Sequence, residues 1–195
     1  MTAADPDADP LLALLARERA HLLAEVARVP RARQGEAIVP GRWSVAEIAE
    51  HVARVEHGVV RMLEAGRAGT LRPTATRPLG APLPDAVVAL LRDRTSPLEA
   101  PERVRPTGAP TPEDALAELA QARAALLDAY RTAGDEVLDG GAYPHPYLGP
   151  LTLRGWVEMS AHHDARHAAQ VAELAAASVD SSREPAVQPH AGHDA

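Results

Sequence analysis

His163 and His167 stand four residues apart within an apolar-periodic stretch from Thr152 to Ala177. On an α-helix that spacing puts two imidazoles on one face, one turn apart, where both can reach a single metal ion. Trp156, Met159, His163, His167, Gln170 and Leu174 all fall within roughly 40° of His163 at about 100° per residue. The stripe is core-facing, yet its middle is polar. Burying unpaired polar groups costs roughly a few kcal/mol each, so this block needs partners. A shared ion is one answer; backbone or carboxylate partners are the other. His51, far upstream on another predicted helix, is the third candidate ligand. It lies roughly 40° from Val55 and 60° from Ile48, at the edge of an apolar stripe.

Composition narrows the chemistry. The chain has 195 residues, no Cys and no Lys, and a formal net charge of -7. Without Cys there is no disulfide, no thiolate nucleophile and no Cys-ligated zinc. Without Lys there is no Schiff base and no P-loop lysine. Any metal must be held by His and carboxylates. An acidic chain with its Arg spread out argues against a nucleic-acid partner and gives no support for a membrane surface. No apolar run is long enough for a transmembrane span, and the N-terminus lacks the pattern of a signal peptide. A cytoplasmic protein is therefore expected. With aromatics at 3% and no Phe, the core must be built from Leu, Val and Ala. That composition favours an all-α class.

Four long helices must position the histidines. The first runs from about Pro10 to Arg28, with Asp9 as N-cap and Pro10 at the first helical position. The second opens on the capping box Ser44–Glu47, with Trp43 and Ile48 placed as a hydrophobic staple, and continues to about Gly66. The stretch from Gly66 to Thr111 is rich in Pro, Gly and Thr. It reads as a crossover connection broken by a short helix, Asp85 to Arg92. Thr111-Pro112 opens the third helix, which runs to about Leu138 and stops at Asp139-Gly140-Gly141. Tyr143 to Leu151 reads as a loop carrying His145. The fourth helix begins after Thr152 and ends near Ala177. The expected fold is a four-helix bundle with a long crossover between helices 2 and 3, one domain over 9–177, and a disordered tail over 178–195. If helices 2 and 4 run antiparallel, His51 falls level with His163 and His167. Three imidazoles would leave coordination positions open, as catalytic sites do.

The remaining polar residues have simpler roles. His162 lies about 100° around the helix from His163 and should point elsewhere. His21 and His57 read as solvated, and His190 and His193 lie in the tail. His145 is either a pocket residue or a structural loop His. Glu47, Asp164 and Gln170 are candidates for orienting the ligating imidazoles, since such a ring usually donates its other N–H to an oxygen. For Glu47 the capping box is the simpler role. Arg123 interrupts an apolar stripe, so its head should reach water or an acidic partner.

Two runs resemble a known family. Gly41-Arg42-Trp43-Ser44-Val45-Ala46-Glu47-Ile48-Ala49-Glu50-His51-Val52 is similar to the second-helix signature of the DinB/YfiT-like superfamily. His145-Pro146-Tyr147-Leu148-Gly149-Pro150-Leu151-Thr152, leading to Trp156 and then His163-Asp164, His167 and Gln170, is similar to its later motif. The resemblance spans about Leu11 to Leu174. It implies a four-helix bundle that binds a divalent metal, often zinc or nickel, through three His matching His51, His163 and His167. It further implies a small-molecule substrate and, by analogy with characterised relatives, a low-molecular-weight thiol used by a transferase or isomerase. A metal-dependent hydrolase and a non-catalytic, dimerising stress-related metal-binding bundle are the alternatives. A homodimer is compatible with each. A bundle with purely structural His would hold no metal. Three imidazoles by themselves accept zinc, nickel, iron or copper.

Overall fold

A computed structural model describes residues 9–74, 77–96, 98–108 and 110–181. Helices α1 (Pro10–Arg28), α2 (Val45–Arg67), α3 (Asp85–Arg92), α4 (Pro112–Thr132), α5 (Asp135–Asp139) and α6 (Leu153–Ser181) are joined by a short hairpin of β1 (Tyr143–His145) and β2 (Gly149–Leu151). The four long helices α1, α2, α4 and α6 form the bundle.

Local chemistry sets where each helix starts. The Asp9 carboxylate accepts the Leu11 N–H ahead of α1, and Thr111 Oγ1 accepts the Asp114 N–H ahead of α4. At α2 the capping box is complete: Ser44 Oγ accepts from the Glu47 N–H, and Glu47 accepts from the Ser44 N–H. Thr152 Oγ1 accepts the Gly155 N–H at the start of α6. Each cap satisfies a donor that the first turn leaves unpaired.

Contacts between helices fix their directions. His57 meets Glu118 and Arg67 meets Thr132, so α2 and α4 are parallel. Arg19 bonds the Leu119 carbonyl while Tyr130 bonds Asp9, so α1 and α4 are antiparallel. His51 lies beside His163, and Gly66 lies against Leu153, so α2 and α6 are antiparallel. Parallel neighbours require an overhand connection. The segment after Arg67 must climb back along α2, whose 23 residues span roughly 34 Å. It does so over the open face between α6 and α2. The Arg166 guanidinium donates to the carbonyls of Leu91, Asp93 and Ser96, and Glu158 accepts the Leu83 N–H. Farther on, Arg54 donates to the Arg103 carbonyl and Glu50 accepts the Thr107 N–H.

The core is aliphatic, as the composition demands. Leu15, Leu22, Ile48, Leu63, Leu119, Leu126, Met159 and Leu174 are fully buried. Among the described residues no helix is long and apolar enough to cross a membrane.

Three local expectations need correction. The third long helix does not continue to Leu138. It ends at Thr132, where the extended backbone of Ala133 (φ -82, ψ 125) breaks the spiral, and α5 restarts after Gly134. The stretch from Tyr143 to Leu151 is a hairpin, not a loop, with Tyr143 paired to Leu151 and His145 to Gly149. Three-residue strands with Pro at both central positions carry too little alternation to be seen in sequence. Finally, α6 continues through Ser181 rather than ending near Ala177; the rest of the expected tail, residues 182–195 with His190 and His193, lies outside the described residues.

Candidate metal centre

The capping box sets the phase of α2, and that phase turns His51 inward beside Ile48 and Val52. On α6 the stripe from Trp156 to Leu174 turns His163 and His167 toward the same point. The three Nε2 atoms converge: His163 Nε2 is 3.2 Å from His51 Nε2 and 3.1 Å from His167 Nε2. All three lie within 4.8 Å of one another. His51 and His167 are buried, and His163 is half-buried.

The outer nitrogens decide the tautomers. His51 Nδ1–H donates to the Val104 carbonyl at 2.8 Å, and His167 Nδ1–H donates to Gln170 Oε1 at 2.8 Å. Both neutral rings therefore present a bare Nε2 to the centre. His163 can place one proton between them and satisfy one neighbour, never both. Charging a ring is opposed. Burial holds His163 and His167 well below the usual imidazole value of 6.5, and each is further lowered by a neighbouring imidazole. Burial also lowers His51, against the pull of the Val104 carbonyl. Three neutral imidazoles with inward lone pairs match the donor set of a divalent ion. The two short nitrogen separations approach the edge of about 3.3 Å that a tetrahedron with metal–nitrogen bonds of about 2.0–2.1 Å would have.

The centre is open on one side. All three imidazoles line a cavity of about 950 Å³, together with Trp43, Val55, Met62, Trp156 and Met159. The Trp43 ring packs on His51 at 5.0 Å, and Val104, whose carbonyl holds His51, belongs to the crossover.

The residues expected to orient the imidazoles divide. Gln170 does so through His167. Glu47 serves only its capping box. Asp164 points away from the imidazoles, because successive helical residues diverge by about 100°. It is fully buried and accepts from Arg19 at 2.9 Å and Arg123 at 2.8 Å. Glu56 completes this cluster, bonded to both arginines. Burial alone would lower the Arg123 guanidinium, but Glu56 and Asp164 overcome it and hold the group charged. His162 turns to a third side, accepting from Arg92. His57 pairs with Glu118, and His21 is exposed.

Sequence reasoning missed Val104 as the partner of His51. The connection has no periodicity to place it, and a backbone carbonyl carries no residue signature. It left His145 undecided; that ring lines the cavity and packs on Trp156 at 4.8 Å.

Comparisons with known proteins agree with this architecture. Among curated proteins no match was found. The crystal structure of TT2238, a four-helix bundle protein, is similar over 83% of this chain and 95% of that one, at 26% identity and a TM-score of 0.55. The model of the DinB superfamily matches residues 35–171, a stretch that runs from before the α2 capping box to just beyond Gln170. With His51, His163 and His167 all inside that match, the chain belongs to the DinB superfamily.

Proposed function

We propose that this protein is a divalent-metal-dependent enzyme in which His51, His163 and His167 hold a zinc or nickel ion, and that it transfers a small-molecule thiol to an electrophile. The observation that carries the reading is the set of three converging Nε2 atoms, which no placement of protons satisfies, in the lining of a cavity of about 950 Å³. A purely structural metal would be enclosed; an ion here would keep a side toward a space large enough for a small molecule.

The chain's own residues prepare the site. Val104 and Gln170 fix the tautomers of His51 and His167. Trp43, Trp156 and Met159 exclude water from their side of the cavity. When bound, the ion would lower the pKa of a thiol brought to it, so that the sulfur arrives as thiolate. The chain has no Cys, so that thiol must come from a small molecule. Among the described residues lining the cavity the one carboxylate is Glu99, which is tied to Arg105. Among the described residues no free carboxylate lines the cavity beside the imidazoles to act as a general base.

Elemental analysis tests the first half. About one divalent ion per chain is expected in purified protein, and His51→Ala should lose it. Equal metal content in the two proteins sinks the assignment. Incubating the metal-loaded protein with a panel of small-molecule thiols and a reactive electrophile tests the second half. Consumption of the electrophile that depends on both thiol and metal is expected; none across the panel removes the transferase.

A further inference from the structure

Charge in this molecule is unevenly placed. The chain is acidic, at -7, yet the described wall of the large cavity carries Arg42, Arg61, Arg94, Arg103, Arg105 and Arg166 against Glu99 alone. Most of these guanidinium groups are engaged. Arg42 and Arg94 share Glu173, Arg105 is paired with Glu99 and Glu102, and Arg166 is spent on backbone carbonyls. Two are not. Among the described residues the guanidinium groups of Arg61 and Arg103 have no carboxylate or carbonyl partner. The Arg61 head lies beside Gly58, 3.9 Å from where a Cβ at 58 would stand.

A third donor faces the same space. His145 Nδ1 accepts the N–H groups of Tyr147 and Leu148, each at 3.2 Å, so the ring proton sits on Nε2. Nε2 has no protein partner and is not among the sealed, unsatisfied atoms of the described structure. It is thus an open N–H in the cavity lining, with its orientation fixed by the hairpin and by Trp156. Burial and the charge of Arg103 hold the ring down to about 4, so it donates without carrying charge.

We propose that this cavity is a receptor for an amphiphilic small-molecule anion, whose carboxylate or phosphate is held by Arg61 and Arg103 and hydrogen-bonded by His145 Nε2–H. The apolar body of the ligand lies against Val55, Met62, Trp156 and Met159. Arg61 and Arg103 are exposed at the mouth of the cleft, where two unneutralised guanidinium charges can meet an entering oxyanion in a bidentate, charge-assisted pairing. The cavity volume is near the upper end of small-molecule sites. The inference deepens the enzyme reading by naming the substrate class, and it rests on that reading only for which end of the ligand meets the metal.

Calorimetric titration tests it with three probes: 4-phenylbutyrate, its neutral amide, and phenyl phosphate. Each is measured on chelator-treated and on metal-loaded protein. At least one anion is expected to bind the chelator-treated protein about tenfold more tightly than the amide, and to weaken as salt rises. Comparing carboxylate with phosphate identifies the preferred oxyanion. Arg61→Gln and Arg103→Gln should each weaken the anion about tenfold and leave the amide unchanged. His145→Phe should weaken it severalfold. Equal affinity for acid and amide, or no binding by any probe at roughly 10 mM, overturns the proposal. So does anion binding confined to the metal-loaded protein and indifferent to both arginine variants. Anion preference in a protein that binds no metal leaves this proposal standing and removes the metal reading alone.

Discussion

Residues 163 and 164 are neighbours in sequence and opposites in chemistry. His163 faces α2 across a cavity, among imidazoles whose lone pairs all point inward. Asp164 faces α1 and α4, among guanidinium groups that answer every charge it brings. The same division recurs on α2, where His51 belongs to the first group and Glu56 to the second. A smaller cavity of about 520 Å³ reaches Arg19 and Arg123, but both are already bound to carboxylates. Two buried polar clusters thus share two helices. The compensated one links α1, α2, α4 and α6, and the uncompensated one is the proposed metal site. What separates them is charge: two carboxylates meet two guanidinium groups in the first, with Glu56 Oε2 alone in that cluster left without a hydrogen bond, whereas the imidazole lone pairs of the second face no counter-charge.

Removing one member from each should give very unequal results. Asp164→Ala leaves two buried guanidinium groups with one carboxylate between them, and breaking a buried pair in this way destabilises by about 3–5 kcal/mol. His163→Ala removes a group that the metal-free protein does not satisfy, and should change stability by no more than about 1 kcal/mol. Urea unfolding of chelator-treated proteins measures both. Comparable losses in the two variants would erase the distinction.

Acid should probe the imidazole cluster next. His51, His163 and His167 have folded pKa values below the usual 6.5, chiefly through burial. Below about 6.5 the unfolded chain takes up protons that the folded protein refuses, so the stability these groups carry is complete above that pH and drains as pH falls toward their folded values. His145 extends the window down to about 4. Metal-free protein should lose at least about 1 kcal/mol per pH unit below 6.5. Replacing the three imidazoles together should flatten that slope. A slope unchanged by the triple replacement would place the acid sensitivity elsewhere.

The same division explains what the sequence could disclose. Helix starts were legible because caps are local: Asp9-Pro10, Ser44 with Glu47, and Thr111-Pro112 each act within one turn. The three histidines were legible because helical period and a family motif converge on them. Asp164 was misjudged from its adjacency to His163. Its partners Arg19 and Arg123 come from α1 and α4, and no local pattern announces contacts that distant. Arg123 gave a hint, as a charge inside an apolar stripe, without saying whether it met water or a carboxylate. The crossover concealed most. Its prolines and glycines mark it as irregular but do not reveal that it lies over the open face and supplies the Val104 carbonyl to His51.

The finest distinction is between two residues that both seemed placed to orient an imidazole. Gln170 accepts the Nδ1–H of His167, so Gln170→Ala frees that ring to turn and change tautomer. Metal affinity should fall about 10–100-fold, with little change in the stability of the metal-free protein. Glu47 sits one turn before His51, but among the described residues its carboxylate hydrogen-bonds the Ser44 N–H and not the imidazole. Glu47→Ala should therefore cost about 1 kcal/mol of stability through the lost cap, while the bundle still delivers His51 to the same point and metal affinity is unchanged. A competition titration with a chromophoric chelator, paired with urea unfolding, reads both quantities for both variants. If Glu47→Ala weakened the metal as Gln170→Ala does, the line between holding a ligand and holding the helix that carries it would have to be redrawn.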